Sequence, residues 1–491
     1  MNKKLRALAF DCGSSNGRIM AGDFDGNRLS LTELSRFSNT QEEMGDTYYW
    51  NVMRMWQELK LGIKNAASKD KFDSISTDCW GADFVILRPD GHLLQNVISY
   101  RDEIRINGHT EVNALFNPDD LNQKVGVHYF SSSMAPILRY IKRKFPGLLD
   151  YADSLLNLPD FFNYLLSGEK CGEFTIVSTN QLLDPRTNQY HKDVLKILDL
   201  PEHIFSPPVL SGRVLGKIKP SLEQELGFGN AKVIATCGHD SAAALAAVPV
   251  TDNEDWMCIS SGSWSVLMCE IDRPYLDPGN KYYGFLHEGS YGGKYRLAFN
   301  LVGLWIIQEL RRAFGSFSYD EIDSMADKVK PYRSIMIPQN YRGNIKNLPG
   351  TIQEYCRNTG QPVPETEGEL ARCVYDSIAL NSAILIKKME NLTGRVFKRI
   401  YVVGGGTHSL IMLQNIADLT GKEVVSGPKE AAAIGNVLVQ LIALGELSNL
   451  DEGRRLVKAS FNTRSFFPSA SPSLDIDYYT REMYDKTEIT A

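Results

Sequence analysis

At 491 residues the chain is too long for one hydrophobic core, so two domains of roughly 200–250 residues each are expected. A hydrophobic fraction of 43%, a charged fraction of 23% and a net charge of −6 describe an ordinary globular protein. That balance carries no electrostatic footprint for nucleic acid or an anionic membrane, and no apolar run approaches the ~18 residues of a membrane span.

The apolar run behind the basic lead ends at Asp11, too short for a signal segment, and predicts a core strand over Leu5–Phe10. A tight loop over Gly13–Gly17, strands over Arg18–Phe24 and Leu29–Glu33, and a turn at Asp25-Gly26 complete a meander. A helix follows over Val52–Ala67, then a strand from Ser74 towards Trp80-Gly81, and a hairpin over Gly81–Gly91 turning at Pro89-Asp90-Gly91. Met134–Lys144 and Pro159–Leu166 have helical spacing. At mid-chain the strand Lys232–Cys237 runs into Gly238-His239-Asp240-Ser241 and a small-residue helix, Ala242–Ala247. Two strands, Trp256–Ser260 and Trp264–Glu270, follow around a Ser-Gly-Ser loop. The last third is helical, with Gly368–Leu392 its longest run, interrupted by the strand Arg399–Val403 entering Gly404-Gly405-Gly406. The expected division is 1–246, 247–468 and a peripheral tail, 469–491. Eight cysteines are scattered without a CxxC pair, which argues against structural zinc and for free thiols in a reducing cytoplasm. Cys356 and Cys373 flank a Pro-containing loop and could pair if oxidised.

Five segments carry chemistry. Asp11-Cys12-Gly13-Ser14-Ser15-Asn16-Gly17-Arg18 follows a buried strand, where backbone N–H groups and hydroxyls can reach phosphate and Asp11 can face hydrated Mg²⁺; a plain hairpin has the same composition. Asp240 stands at a strand-to-helix junction, suited to accept a hydroxyl proton in phosphoryl transfer or simply to cap the helix. Ser260–Ser265 is a second donor-rich hairpin for phosphates. Gly404–Gly406 lets a flat ring approach backbone. Ala431–Asn436 is a small-residue helix that would permit a tight crossing and a hinge, or simply pack well.

In that order these segments resemble the actin, hexokinase and heat-shock ATPase superfamily. Within it the chain is similar to the FGGY carbohydrate kinases, and to their rhamnulokinase branch, from Ala7 to about Pro468. The likeness is carried by AFDCGSSNGRIM at 9–20, STDCWGADFVIL at 76–87, SYRDEIR at 99–105, LPDFFNYLLSG at 158–168 and CGHDSAAA at 237–244. SSGSWSV at 260–266, YRLAFNLVGLWIIQ at 295–308, ELARCVYDSIAL at 369–380 and VVGGG at 402–406 continue it. The resemblance implies an α/β, two-lobed actin/hexokinase-like (ribonuclease H-like) ATPase fold with a central cleft, a sugar-binding first lobe and a nucleotide-binding second lobe.

It further implies that Ser14, Ser15, Asn16, Gly17 and Arg18 contact ATP, that Ser263 meets its phosphates, and that Asn300, Gln308 and Gly404, Gly405 and Gly406 lie by the nucleotide. Gly81, His239, Asp240 and Ser241 match the sugar positions, Asp240 the base, and Asp11 with Asp240 the carboxylates facing Mg²⁺. Asp83, Tyr100, Arg101 and Asp102 join them as polar neighbours suited to a polyhydroxylated ligand, or as salt-linked structural residues. Ser263 and Ser241 stand where the family often has threonine, which keeps each hydroxyl. The implied reaction is ATP with the small ketose L-rhamnulose giving ADP and L-rhamnulose 1-phosphate. A kinase for another deoxy-ketose such as L-fuculose, and a non-catalytic sugar-sensing regulator, are the alternatives.

Overall fold

The computed structural model describes residues 5–126, 133–180, 182–228, 230–252, 254–276, 284–341, 345–469 and 474–482. Its first sheet has six strands in the order Arg213–Lys217, Lys232–Ala235, Ser74–Cys79, Leu5–Cys12, Asn16–Phe24, Leu29–Ser38. The second has seven: Leu286–Gly289, Tyr295–Val302, Trp264–Ile271, Trp256–Ser261, Arg399–Val403, Glu423–Ser426, Arg464–Phe466. Both contain one five-strand arrangement, an antiparallel three-strand meander whose first strand is followed laterally by two parallel strands. The expected two-lobed α/β architecture is present, and its two sheets share this strand arrangement.

Side-chain size decides how these layers pack. In the central strand Leu5–Cys12, Leu8, Phe10 and Cys12 enter the core shared with the helix Val52–Ala67. Ala7 and Ala9 point to the opposite face, where the helix Ala431–Ala443 brings Ile434 and Val437. Small residues on that face let a helix from the second half of the chain lie directly on the first sheet. Its Gln440 donates to the carbonyl of Leu8 at 2.9 Å. The helix Asp240–Ala246 crosses it, so closely that a Cβ on Gly435 would stand 1.8 Å from the Ala243 carbonyl oxygen. The two crossed helices join the lobes.

Local signals place several elements well. Val52–Ala67 begins at Asn51, whose side chain accepts the Arg54 N–H at 3.0 Å, and buries Met55, Leu59 and Ile63 at four-residue spacing. Glu367–Thr393 opens with a reciprocal Thr366–Glu369 capping box and ends at Gly394. Two expectations need correction. The turn at Arg88–Gly91 forms, but the strand before it, Phe84–Leu87, pairs chiefly with Ser154–Asn157 rather than closing an isolated hairpin. The tail is not wholly peripheral: Leu474, Ile476 and Tyr479 pack against the second-lobe core, while 470–473 and 483–491 lie outside the described residues. All eight cysteines are free and buried, so Cys356 and Cys373 are not bridged, and the thiols beside the motifs sit in core packing. No helix among the described residues is long and apolar enough to cross a membrane.

Candidate active site

A cleft of about 660 Å³ opens between the sheets. Its floor is built from strand ends. Asp11 is the penultimate residue of Leu5–Cys12, and the loop after it is closed by the Gly13 N–H donating to Asn16 at 3.0 Å and braced by Asn39 donating to the Gly13 carbonyl at 2.7 Å. The second hairpin has the same form, with the Gly262 N–H donating to the Trp264 carbonyl at 2.9 Å. Gln308 Nε2 donates to Ser263 Oγ at 3.1 Å and steadies that loop. Gly404, at φ +85°, turns the chain where a side chain would meet the Ser261 carbonyl oxygen at 2.7 Å. Asp240 opens its helix at the head of the cleft and accepts from Ser241 Oγ at 3.0 Å.

Most of the expected residues therefore meet. Asp11, Ser14, Ser15, Asn16, Arg18, Gly81, Tyr100, His239, Asp240, Ser241, Ser263, Asn300, Gln308, Gly404 and Gly405 all line the one cleft. Five do not. Asp83 is buried and accepts from Trp50 Nε1 at 2.6 Å, Trp80 Nε1 at 2.7 Å and Arg105 at 2.5 Å, so it holds the wall from behind. Asp102 accepts the backbone N–H groups of Tyr48 and Ile104 at 2.6 and 2.8 Å and opens the helix Ile104–Leu115. Arg101 stacks on Tyr100 and Trp50 and donates to Ser14 Oγ at 3.2 Å from outside the wall. Gly17 lies under the Phe37 ring, and Gly406 against Ser261 Oγ. Their smallness serves packing.

Electrostatics single out the carboxylates. Burial, together with the charge of Asp11, pushes Asp240 up to about 6. Burial also raises Asp11, against the opposing pull of Arg18, which bridges Asp11 and Glu430. Asp78, the strand neighbour of Asp11, is fully buried; desolvation and the Asp11 charge hold it well above the usual carboxylate range. Asn436 Nδ2 donates to it at 2.6 Å.

The FGGY carbohydrate kinase N-terminal domain matches residues 6–247, and the C-terminal domain of the same family matches 257–444. The chain belongs to the FGGY family of carbohydrate kinases. This sugar kinase is 33% identical to a rhamnulokinase of Bacteroides thetaiotaomicron over 97% of its own length and 98% of that protein's. It is 31% identical to a rhamnulokinase of Bacillus subtilis over 96% of both chains. Among solved structures, the Plasmodium falciparum glycerol kinase with ADP superposes at a TM-score of 0.79, with 15% identity, covering 98% of this chain and 97% of that one. A gluconate kinase from Lactobacillus acidophilus gives 0.78, at 16% identity over 95% and 94%. These likenesses carry the actin-like fold.

Several residues of the kinase's cleft were missed from sequence. Lys429 and Glu430 line it immediately before the small-residue helix and needed only a two-residue extension of that motif. Thr179 and Glu288 lie in unremarkable segments, and no local pattern marks them. Among the described residues no group of three or more His, Cys, Asp or Glu side chains could hold a metal. Two cleft-facing carboxylates, Asp11 and Asp240, are nevertheless the kind of donor set that suits Mg²⁺, which keeps several waters and takes one or two carboxylates beside phosphate oxygens.

Proposed function

We propose that this kinase transfers the γ-phosphoryl group of ATP to O1 of L-rhamnulose, in the cytoplasm, with Asp240 as the base. The observation that carries the reading is the position of Asp240, in one cleft with both Gly/Ser hairpins and with a carboxyl pushed up to about 6. At neutral pH it is ionised, yet far more basic than an exposed aspartate. It takes the proton of the sugar O1 as that oxygen bonds to the γ-phosphorus and the bond to the ADP oxygen breaks; the proton later leaves to solvent.

Residues 1–246 supply the sugar side through Gly81, Tyr100, His239 and Ser241. Residues 247–468 supply the nucleotide side through Ser263, Asn300, Gln308 and Gly404–Gly405. The backbone and hydroxyls of Gly13–Asn16 and Ser261–Ser263 face the phosphate oxygens, where negative charge spreads in the transition state. Asp11 and Asp240 are the residues to hold Mg²⁺ through water, and the ion would neutralise phosphate charge there. The choice of sugar is supported by the names of near full-length relatives at 31–33% identity.

A coupled assay of ADP release across L-rhamnulose, L-fuculose and D-xylulose tests it. The highest kcat/KM is expected for L-rhamnulose. A preference for L-fuculose reassigns the sugar, and no ADP with any ketose despite nucleotide binding makes the protein a sensor.

A further inference from the structure

His239 precedes Asp240 on the cleft wall, and its ring faces a residue to which no role was given above. Arg296, in the strand Tyr295–Val302, is fully buried. Its guanidinium donates through Nη1 to the Gly289 carbonyl, and Nη2 reaches both Glu288 Oε2, at 2.5 Å, and Nδ1 of His239. A guanidinium has donors only and does not lose its proton in proteins. Nδ1 must therefore turn a lone pair towards it, which leaves the ring proton on Nε2. A proton on Nδ1 would instead point one donor at another, and a doubly protonated ring would set two cations face to face in a desolvated pocket.

The other charged groups around the ring do not reverse this. Glu288 Oε2 is 3.6 Å from Nδ1 but is already engaged by Arg296, and Asp240 Oδ1 lies 3.6 Å from Nε2, on the side where the proton is. Thr175 Oγ1 accepts the His239 backbone N–H, and Glu173 takes that of Gly238; neither contact involves the ring. Burial and the Arg296 charge hold the imidazole well below its ordinary range. Nε2 is 3.5 Å from where a Cβ on Gly81 would stand, so its N–H looks into the space between Gly81 and the base.

We propose that Arg296 is a positioning residue that holds His239 in the neutral Nε2–H form, so that His239 always presents a hydrogen-bond donor to an acceptor oxygen on the sugar carbon next to the hydroxyl facing Asp240. This rests on the kinase reading above, in which that hydroxyl is O1 of a ketose and the neighbouring oxygen is O2. The site then requires an acceptor oxygen at C2, because a buried donor left unpaired is costly.

The test begins with the sugar-free full-length protein labelled with ¹⁵N-histidine, its His239 signals assigned with His239→Gln. Long-range ¹H–¹⁵N correlation at neutral pH should show the Nε2–H tautomer alone. In Arg296→Gln the same spectrum should show Nδ1–H mixed with Nε2–H, and the KM for whichever ketose is phosphorylated should rise ~10-fold, about one lost hydrogen bond. The KM for ATP should stay within about twofold, and Arg296→Lys should recover part of the loss. A wild-type ring that carries Nδ1–H overturns the proposal, as does a folded Arg296→Gln variant with unchanged ketose KM. If Arg296→Gln does not fold, the wild-type tautomer decides. That measurement needs no sugar, so its failure is distinct from a failed substrate assignment.

Discussion

Asp240 keeps 30% of its side chain open to the cleft, yet burial and the charge of Asp11 push it up to about 6. Asp240→Asn should leave nucleotide binding intact and lower turnover by ~10²–10⁴, the range for losing a general base. In the wild type, kcat/KM should fall as pH drops through about 6, since the base must be ionised. An acid limb near 4 would mean that an unperturbed carboxylate governs the rate. Stability should move the opposite way. A carboxyl raised in the folded state binds its proton more tightly there than in the unfolded chain. Stability therefore declines as pH rises from about 4 to about 6, and the buried charge remains a cost above that. Asp240→Asn removes that cost, worth about 1 kcal/mol once the open part of the side chain is allowed for. Thermal melts should show the variant more stable at pH 7.5 and level with wild type near pH 4. Equal melting at both would mean the carboxylate is well solvated.

At the scale of elements, the crossing of Asp240–Ala246 with Ala431–Ala443 couples fold to chemistry. The first helix starts at the base, and the second rests on the strands that carry Asp11 and Asp78 as their penultimate residues. Gly435 has no room for a methyl group against the Ala243 carbonyl oxygen. Gly435→Ala should force the helices apart and cost about 3 kcal/mol, read by urea unfolding, the upper end for overpacking. It should also lower kcat, because Asp240 shifts with its helix. An unchanged midpoint would show that the crossing adapts without cost. The buried hydrogen bonds from Asn436 to Asp78 and from Gln440 to Leu8 add polar registration to a contact otherwise made of small apolar residues.

For the whole molecule, two sheets that share a five-strand arrangement place two similar hairpin loops across a shared cleft. A ligand filling that cleft touches both lobes and should stabilise them jointly. At one hundred times its dissociation constant, a non-hydrolysable ATP analogue should add about 2.7 kcal/mol, visible as a single shifted unfolding transition. Two separated transitions, only one of them shifted, would show that the crossed helices do not couple the lobes.

What the sequence determined by itself is local. The helices Val52–Ala67 and Met134–Lys144 and the strand Arg399–Val403 were legible to the residue, because periodicity, caps and flanking glycines act within a few residues. The phosphate-type hairpins, the glycine turn and Asp240 were legible for a related reason: each is a backbone device that demands particular residue types at fixed spacing. Only the tertiary structure decided which polar side chains face the cleft. Asp83 and Asp102 sit beside the right motifs but turn away, into contacts with Arg105 and with the Tyr48 and Ile104 backbone. Glu288 reaches the site from a strand with no motif, Arg296 lies within the 295–308 segment without a local sign of its role, and Phe84–Leu87 finds its partner in Ser154–Asn157, far along the chain. Such choices depend on which surfaces meet across the sheets, and short-range pattern carries no record of that.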